Sequence, residues 1–119
     1  MHPQLEILLQ IQDLKTQRRE LAETERERQV EELEFHVNVE EAVQELDHKI
    51  AEMEAQLTPA IRNRYARIAS GRGRAVVPVI QGICYGCFVS IPTALATDSA
   101  RNDQIRHCDH CGRFLYVIG

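Results

Sequence analysis

Apolar residues in the first half of the chain recur at intervals of three and four positions. One set comprises Ile7, Ile11, Leu14 and Leu21, and a second comprises Val39, Val43, Leu46, Ile50, Met53 and Leu57. From residue 5 to residue 70 the only glycine or proline is Pro59, and good helix formers dominate. This spacing is typical of a coiled-coil seam, so it predicts long helices that each bury one stripe.

The two apolar sets are out of register, and the stretch between them predicts a reversal of the chain. Residues 24–29 are wholly polar, and residues 35–39 alternate in a way that does not suit a helix face. Asn38 is a suitable N-cap for a second helix, with Glu41 completing a capping box. We therefore expect an antiparallel helical hairpin. The alternative is one uninterrupted helix, from residue 3 to 57, that forms a parallel dimer.

Thr58 and Pro59 interrupt the second helix. Thr58 is a suitable N-cap and Pro59 suits the first helical position, so we expect a kink and a short helix that continues to Ala69. Gly71 and Gly73 then end this helix and begin a hinge.

Beyond the hinge the pattern changes from helical to extended. Residues 76–80 and 114–118 are rich in β-branched and aromatic side chains and predict two short strands. Pro78 favours an edge position for the first of them. Residues 92–97 and 104–106 are weaker indications of a helical turn and of a further short strand.

The charge is divided between the two parts of the chain. Residues 1–58 carry six Lys and Arg against fifteen Asp and Glu, and residues 59–119 carry eight against three. The net charge is therefore −9 in the first part and +5 in the second, within a total of −4. We expect any contact with a polyanion to be made by the second part.

Length and the character of the N-terminal residues exclude several classes of protein. A chain of 119 residues is too short for a Rossmann or barrel enzyme. No apolar run reaches the ~18 residues that span a bilayer, and no targeting segment is visible. We therefore expect a cytoplasmic protein with no membrane partner, in a reducing compartment where clustered cysteines indicate metal binding before disulfides.

Four cysteines form two C-x-x-C pairs. They are Cys84, Cys87, Cys108 and Cys111, with twenty residues between the pairs. This spacing is typical of structural zinc sites, in which four thiolates complete a tetrahedron and leave no position for water. We predict one structural Zn²⁺ that folds residues 71–119 and does not catalyse a reaction, with iron as the less favoured metal. Gly86 and Gly112 are expected to supply the backbone freedom that such turns need.

The basic residues of the second part are all arginines, which are candidate contacts to nucleic acid. They are Arg62, Arg64, Arg67, Arg72, Arg74, Arg101, Arg106 and Arg113. The planar fork of the guanidinium suits phosphate or carboxylate recognition. The alternative is that these arginines are solvated or pair with the acidic first part.

Five glutamates gather at the expected tip of the hairpin. They are Glu31, Glu32, Glu34, Glu40 and Glu41. Most clusters of this kind are simply solvated. The functional alternative is an acidic tip that enters the active site of another protein and contacts its metal ion.

Segments at both ends of the chain resemble the bacterial four-cysteine zinc-ribbon family, whose members have an N-terminal coiled coil. Residues 9–14 are similar to the opening helix of that family. Residues 65–68, 72–79, 82–87, 91–92 and 108–116 are similar to its ribbon. The ending Cys-x-x-Cys-Gly-Arg-x-Leu-Tyr is the most specific element of the resemblance.

The resemblance implies a zinc ribbon held by the four cysteines and a role in nucleic-acid binding or transcription. It also implies contact with an alternative sigma factor or with messenger RNA. Typical members have a much longer coiled coil, so functions carried by the coil do not transfer directly. Arg113 matches the family motif without an assigned role.

The predicted fold class is α+β, with an acidic antiparallel coiled-coil hairpin at 1–70 and a small zinc ribbon at 71–119. The predicted function is a non-enzymatic nucleic-acid-binding or transcription-associated regulator, a monomer or a coiled-coil homodimer. The alternative is a protein-interaction factor that docks on RNA polymerase or a sigma factor through its coil and acidic tip.

Overall fold

The computed structural model describes residues 1–28, 33–92 and 102–118, with the backbone alone at 24–28, 33–38 and 72. These residues form three helices and three strands, which confirms the α+β class. Helix α1 spans Pro3–Arg28, α2 Leu33–Ala55 and α3 Pro59–Arg72; strand β1 spans Val76–Ile80, β2 Ile83–Cys84 and β3 Phe114–Ile118. None of the helices described has the length and apolar character needed to cross a membrane.

The chain divides into two compact units. Residues 10–56 form the hairpin unit, and residues 1–9 together with 57–119 form the ribbon unit. The start of α1 and all of α3 therefore belong with the ribbon, although both segments are helical like the hairpin. The predicted division into domains 1–70 and 71–119 stays a prediction.

Helices α1 and α2 run antiparallel within the hairpin unit. Arg18 pairs with Asp47, with Nη2 at 3.4 Å from Oδ2, and Lys15 Nζ lies 3.9 Å from Glu54 Oε2. Arg18 follows Lys15 in α1, whereas its partner Asp47 precedes Glu54 in α2, as antiparallel helices require. In one uninterrupted helix Arg18 and Asp47 would lie about 44 Å apart, at ~1.5 Å per residue. The alternative of a single long helix is therefore excluded.

The buried side chains of the hairpin unit follow the predicted seam in α2. Val39, Ile50 and Met53 are buried there, and Ile11 is buried in α1. The antiparallel course of α1 and α2 confirms the reversal predicted between the two apolar sets, but α2 begins at Leu33, so the expected N-cap at Asn38 was wrong. The spacing of a capping box also occurs inside helices, because Asn and Glu are tolerated there at modest cost.

Helix α3 begins as predicted but is separated from α2. Thr58 is the N-cap residue, with φ −64° and ψ 154°, and Pro59 occupies the first turn. Helix α2 ends at Ala55, so the expected kink is an interruption of the helix. The Thr58 N–H donates to Gln4 Oε1 at 2.9 Å, which satisfies a backbone group that a continuous helix would have bonded.

Helix α3 continues beyond the predicted end at Ala69. Its last residue is Arg72, and Gly73 follows with φ 75°, a conformation that favours glycine. Tyr65 and Ile68 are buried, so one apolar face of this helix packs within the ribbon unit.

The three strands form one sheet in the order β2-β1-β3. Strand β1 is antiparallel to β2 and parallel to β3. Gln81 and Gly82 join β1 to β2 with φ values of 53° and 77°, which a two-residue hairpin turn requires. The buried side chains of β1 and β3 are Val76, Val77, Val79, Phe114 and Leu115.

Pro78 lies in the central strand, so the predicted edge position was wrong. Its carbonyl accepts a hydrogen bond from the Tyr85 N–H at 3.0 Å. In an antiparallel ladder the nitrogen and carbonyl of one residue face the same neighbour, so the Pro78 nitrogen also faces this side. Strand β2 ends at Cys84, just before Tyr85, and the short ladder therefore accommodates a residue without an N–H.

Two weaker predictions for the ribbon have different outcomes. Residues 104–106 form no strand; instead His107 makes an isolated antiparallel bridge to Phe114. The helical turn predicted at 92–97 lies outside the described residues except for Pro92.

Candidate metal centre

Each cysteine pair lies in the turn of a small antiparallel hairpin. In the first, the Cys84 N–H donates to the Val89 carbonyl at 3.1 Å. In the second, the Cys108 N–H donates to the Arg113 carbonyl at 2.8 Å. We call these the first and second cysteine turns, residues 84–89 and 108–113.

The two cysteine turns share one backbone geometry. The Phe88 N–H donates to the Cys84 carbonyl at 2.7 Å, and the Gly112 N–H donates to the Cys108 carbonyl at 2.8 Å. Phe88 and Gly112 both have positive φ, 61° and 79°. Glycine adopts this conformation freely and phenylalanine does not. Phe88 therefore holds a strained backbone at the position where the second turn has glycine.

The four cysteine sulfurs converge on one point. All four lie within 4.8 Å of one another, with 3.8 Å from Cys84 to Cys111 and 3.7 Å from Cys87 to Cys108. A tetrahedral ion with Zn–S bonds of about 2.3 Å sets its sulfurs about 3.8 Å apart. A disulfide needs about 2.05 Å, and all four cysteines are free. The predicted metal-binding site is confirmed.

The sulfur ligands belong to the hydrophobic core of the ribbon. Cys84, Cys108 and Cys111 are buried in one cluster, with Cys87 half-buried against it. The apolar members of the same cluster are Val77, Val79 and Leu115. A metal held there would join both cysteine turns to the sheet, and four protein ligands would leave it no open position.

Arg113 connects the second cysteine turn to the residues that follow α3. Its Nε donates to the Arg74 carbonyl at 2.8 Å, next to the end of α3. Burial acts to raise the pKa of Cys111, but hydrogen bonds from the backbone and side chain of Arg113 and from neighbouring thiols lower that pKa to about 7. Arg113 thus stabilises the thiolate form of one ligand.

The first cysteine turn favours the protonated form of its two thiols. Burial raises the pKa of the Cys84 thiol to about 12 and also raises the pKa of Cys87. In the absence of metal both thiols are therefore protonated at pH 7. A cation must displace these protons, so its binding strengthens as the pH rises and weakens as the pH falls.

The two glycines of the cysteine turns serve different purposes. A Cβ on Gly86 would lie 2.7 Å from Arg113 Cδ and 3.2 Å from Val77 Cγ2. Around Gly112 nothing lies within 4 Å of such an atom, and its requirement is the positive φ. The expected backbone role is confirmed for Gly112 and wrong for Gly86, which is needed for close packing.

Two of the eight candidate arginines donate to backbone carbonyls in the described part of the chain. Arg113 binds the Arg74 carbonyl, whereas the Arg62 guanidinium donates to the Leu57 carbonyl at 2.8 Å. Arg62, Arg67 and Arg74 are exposed, Arg64, Arg106 and Arg113 are half-buried, and Arg101 and the side chain of Arg72 lie outside the described residues.

The structure describes the side chains of two of the five candidate glutamates. Glu40 and Glu41 are exposed on α2. Glu31, Glu32 and the side chain of Glu34 lie outside the described residues. The acidic tip therefore stays a prediction.

Asn102 has a structural role that the sequence did not reveal. Its Nδ2 donates to the Val117 carbonyl at 2.9 Å, and its Oδ1 accepts from the Val117 N–H at 2.7 Å. Its own carbonyl accepts from the His2 N–H at 2.7 Å. The Asn102 side chain thus satisfies both backbone groups of Val117 in β3. The Asn102 carbonyl binds the backbone of His2, near the start of the chain. An asparagine in a polar loop carries no signal for this role.

Fold and site together define a protein in which a metal-holding ribbon follows a helical hairpin. Residues 83–115 match the family of the C4-type zinc ribbon domain. The match includes all four cysteines, and the chain therefore carries a C4-type zinc ribbon domain. No curated protein matches the sequence of the chain.

Two solved structures are similar to this chain. The HP0958 protein from Helicobacter pylori has a TM-score of 0.57 and 26% identity, over 69% of this chain and 35% of that chain. The CT398 protein from Chlamydia trachomatis has a TM-score of 0.49 and 19% identity, over 72% of this chain and 40% of that chain. The likeness to the Helicobacter protein extends beyond residues 83–115, and the chain matches well under half of either protein.

Proposed function

We propose that this chain is a non-enzymatic nucleic-acid-binding protein that acts as a transcription-associated regulator. Its ribbon unit would contact RNA or DNA through arginine side chains. The observation that supports this proposal is the charge of residues 59–119, eight arginines and no lysine against three aspartates. Chemistry at the metal is not expected, because four thiolates would leave no position for a substrate or a reactive water.

Zinc is the proposed metal of the ribbon. The sulfur separations of 3.7 and 3.8 Å fit the edge of a Zn–S tetrahedron. Iron occupies similar sulfur cages, so elemental analysis of the purified protein is the test. One zinc per chain supports the proposal, and one iron with its visible absorption contradicts it. Reduced thiols also require a reducing compartment, which is why the cytoplasm is the proposed location.

Arg67 and Arg74 are the proposed phosphate contacts. Both are exposed and belong to the ribbon unit. Arg67 is two positions from Tyr65 in α3, so it projects away from the buried face of that helix. A guanidinium on such a surface can form paired hydrogen bonds with phosphate oxygens.

The test is a fluorescence anisotropy titration of metal-loaded protein with generic RNA and with duplex DNA at two salt concentrations. Arg67→Ala with Arg74→Ala should weaken binding and reduce the salt slope for duplex by about 0.9 for each phosphate that is no longer neutralised. The matched control, Arg19→Ala with Lys49→Ala, removes the same charge from exposed positions of the hairpin unit. It should behave as the parent chain. Absent or salt-independent binding contradicts the proposal.

The second candidate is a factor that docks on RNA polymerase or a sigma factor through its hairpin. The exposed acidic side chains of Glu40 and Glu41 on α2 favour it. Glu40→Gln with Glu41→Gln should then abolish an effect on transcription without weakening polymerase binding. A pulldown that contains no polymerase or sigma subunit contradicts this candidate.

A further inference from the structure

The first cysteine turn exposes two aromatic rings. Phe88 is 70% exposed and Tyr85 is 41% exposed. Their ring centroids lie 5.5 Å apart, with the ring planes tilted by 54°. Ile83 and Val89, on either side along the chain, are 36% and 39% exposed. Exposed apolar side chains gathered in and beside one turn mark a binding site more often than a scattered apolar residue does.

The backbone at Phe88 is not explained by the stability of the fold. Phe88 has φ 61°, and its counterpart Gly112 has φ 79° with the same hydrogen bond to the first cysteine of its turn. Glycine would therefore satisfy the first turn without strain. The chain instead holds a large ring there, on a strained backbone and in water. Residues of this kind cluster at sites of binding.

Positive charge lies beside the two rings. Gly86 and Cys87 lie between Tyr85 and Phe88 in sequence, and a Cβ on Gly86 would lie 3.1 Å from Arg113 Nη1. The Arg113 guanidinium therefore lies against the same turn as the rings. It also donates to the carbonyl of Arg74, whose side chain is exposed. This charge favours an anionic partner over a neutral one.

We propose that Tyr85 and Phe88 form a stacking platform for the bases of a single-stranded nucleic acid, with Arg74 contacting its phosphates. This inference rests on the proposed nucleic-acid-binding function and assigns it a substrate class. Aromatic side chains stack on every base, since every base has a π-face. Bases inside a duplex do not expose those faces, so the platform selects single strands.

The charge around the two rings favours a nucleic acid over a protein as the partner of this surface. An apolar protein surface could also cover Phe88 and Tyr85. Among the described residues from 57 to 118, the acidic ones are Asp103 and Asp109, and neither belongs to the first cysteine turn. Arg113 thus lies against the first cysteine turn, which carries both rings and has no acid among residues 84–89. Bases and phosphates together satisfy both features.

The experiment compares three probes on the metal-loaded full chain: ten-nucleotide oligo(U) RNA, oligo(dT) DNA of the same length, and a duplex of matched charge. Phe88→Gly removes one ring and relieves the strained backbone, so weaker binding cannot come from a strained turn. We expect single-strand binding to weaken about tenfold or more, the size expected when one base no longer stacks. Duplex binding should stay within about twofold, because phosphates dominate it.

Two further variants control the experiment. Phe88→Trp keeps a stacking ring and should retain single-strand affinity. Ile118→Ala removes an exposed apolar side chain, 47% exposed, from β3 instead of the turn. It should bind all three probes as the parent chain does. The melting temperature of Phe88→Gly should equal or exceed that of the parent chain.

The outcomes separate the platform from the function on which it rests. If the parent chain binds no probe at low salt, the proposed function fails and the platform with it. If the parent chain binds but Phe88→Gly and Tyr85→Ala bind single strands equally well, the platform alone is overturned. An equal reduction for duplex and single strands also overturns it. A preference between oligo(U) and oligo(dT), with weaker binding of both variants, supports the platform and identifies the nucleic acid.

Discussion

Different interactions stabilise the hairpin unit and the ribbon unit. The hairpin unit buries a thin apolar seam that includes Ile11, Ile50 and Met53, and ion pairs join its helices across the surface. The ribbon unit arranges its core around four thiols whose sulfurs lie within 4.8 Å of one another. A repeating apolar pattern is sufficient to specify two helices, whereas a short irregular segment needs a ligand to hold its turns.

Metal removal should give the largest effect. It should unfold the ribbon unit and leave the hairpin unit folded. Structural zinc contributes about 10–16 kcal/mol to small domains, so chelation or Cys84→Ser should unfold the ribbon. The hairpin should keep its helical circular dichroism. Hydrogen exchange of ribbon amides measures the unfolding, and reloading the chelated parent chain with zinc should restore protection. Ribbon amides that stay protected after chelation would contradict the comparison.

Shortening a buried side chain of the apolar seam should destabilise the hairpin unit. Ile50 is 6% exposed, and Ile50→Ala should destabilise the hairpin by about 2–5 kcal/mol. Thermal unfolding followed by circular dichroism measures this change. Val43→Ala, at a half-buried position of the same helix, should cost less. A matching fall in metal affinity would show that the units do not depend on separate interactions.

A methyl group on Gly86 should test how closely the ribbon is packed. Gly86→Ala places a Cβ 2.7 Å from Arg113 Cδ, and we expect a destabilisation of about 1–3 kcal/mol. Competition with a chelator should show the weaker metal binding. Gly71→Ala is the matched control, because Gly71 is helical with nothing within 4 Å of the added atom. It should stabilise the chain by up to about 1 kcal/mol. Equal behaviour of the two variants would exclude the packing role of Gly86.

The smallest effect should come from the surface of the hairpin. The Arg18–Asp47 ion pair joins side chains that are 42% and 50% exposed. Asp47→Asn should therefore cost about 0–1 kcal/mol in urea unfolding, and the difference should shrink at high salt. Glu52→Gln, which alters the contact of Glu52 Oε1 with His48 Nε2 within α2, is the comparison variant. A destabilisation well above this range would mean that ion pairs, and not the apolar seam, hold the helices together.

Two parts of the structure were predictable because a strong local rule governs them. Val39, Ile50 and Met53 follow a seam that only a helix can bury on one face. The two C-x-x-C pairs predict one metal site because each turn brings two thiols to the same side. Pro59 marks the start of α3 for a similar reason, since its fixed φ suits the first helical turn.

Other features depend on contacts between distant elements, which no local pattern reports. Leu5 and Leu8 are fully buried and fall in different positions from the predicted seam residue Ile7. Their burial depends on the ribbon unit, to which the start of α1 belongs. Pro78 occupies a central strand because β2 is short, and Asn102 is recognisable only once Val117 lies beside it.

The most direct test of the proposed function is a titration of labelled oligo(U) RNA and duplex DNA with metal-loaded and with metal-stripped protein. Measured by anisotropy at two salt concentrations, the loaded protein should bind, and its affinity should fall as salt rises. The stripped protein should no longer bind, because the ribbon that positions Arg74 and the aromatic rings is unfolded. Equal binding by the stripped protein, or no binding by the loaded protein at low salt, would contradict the proposed function.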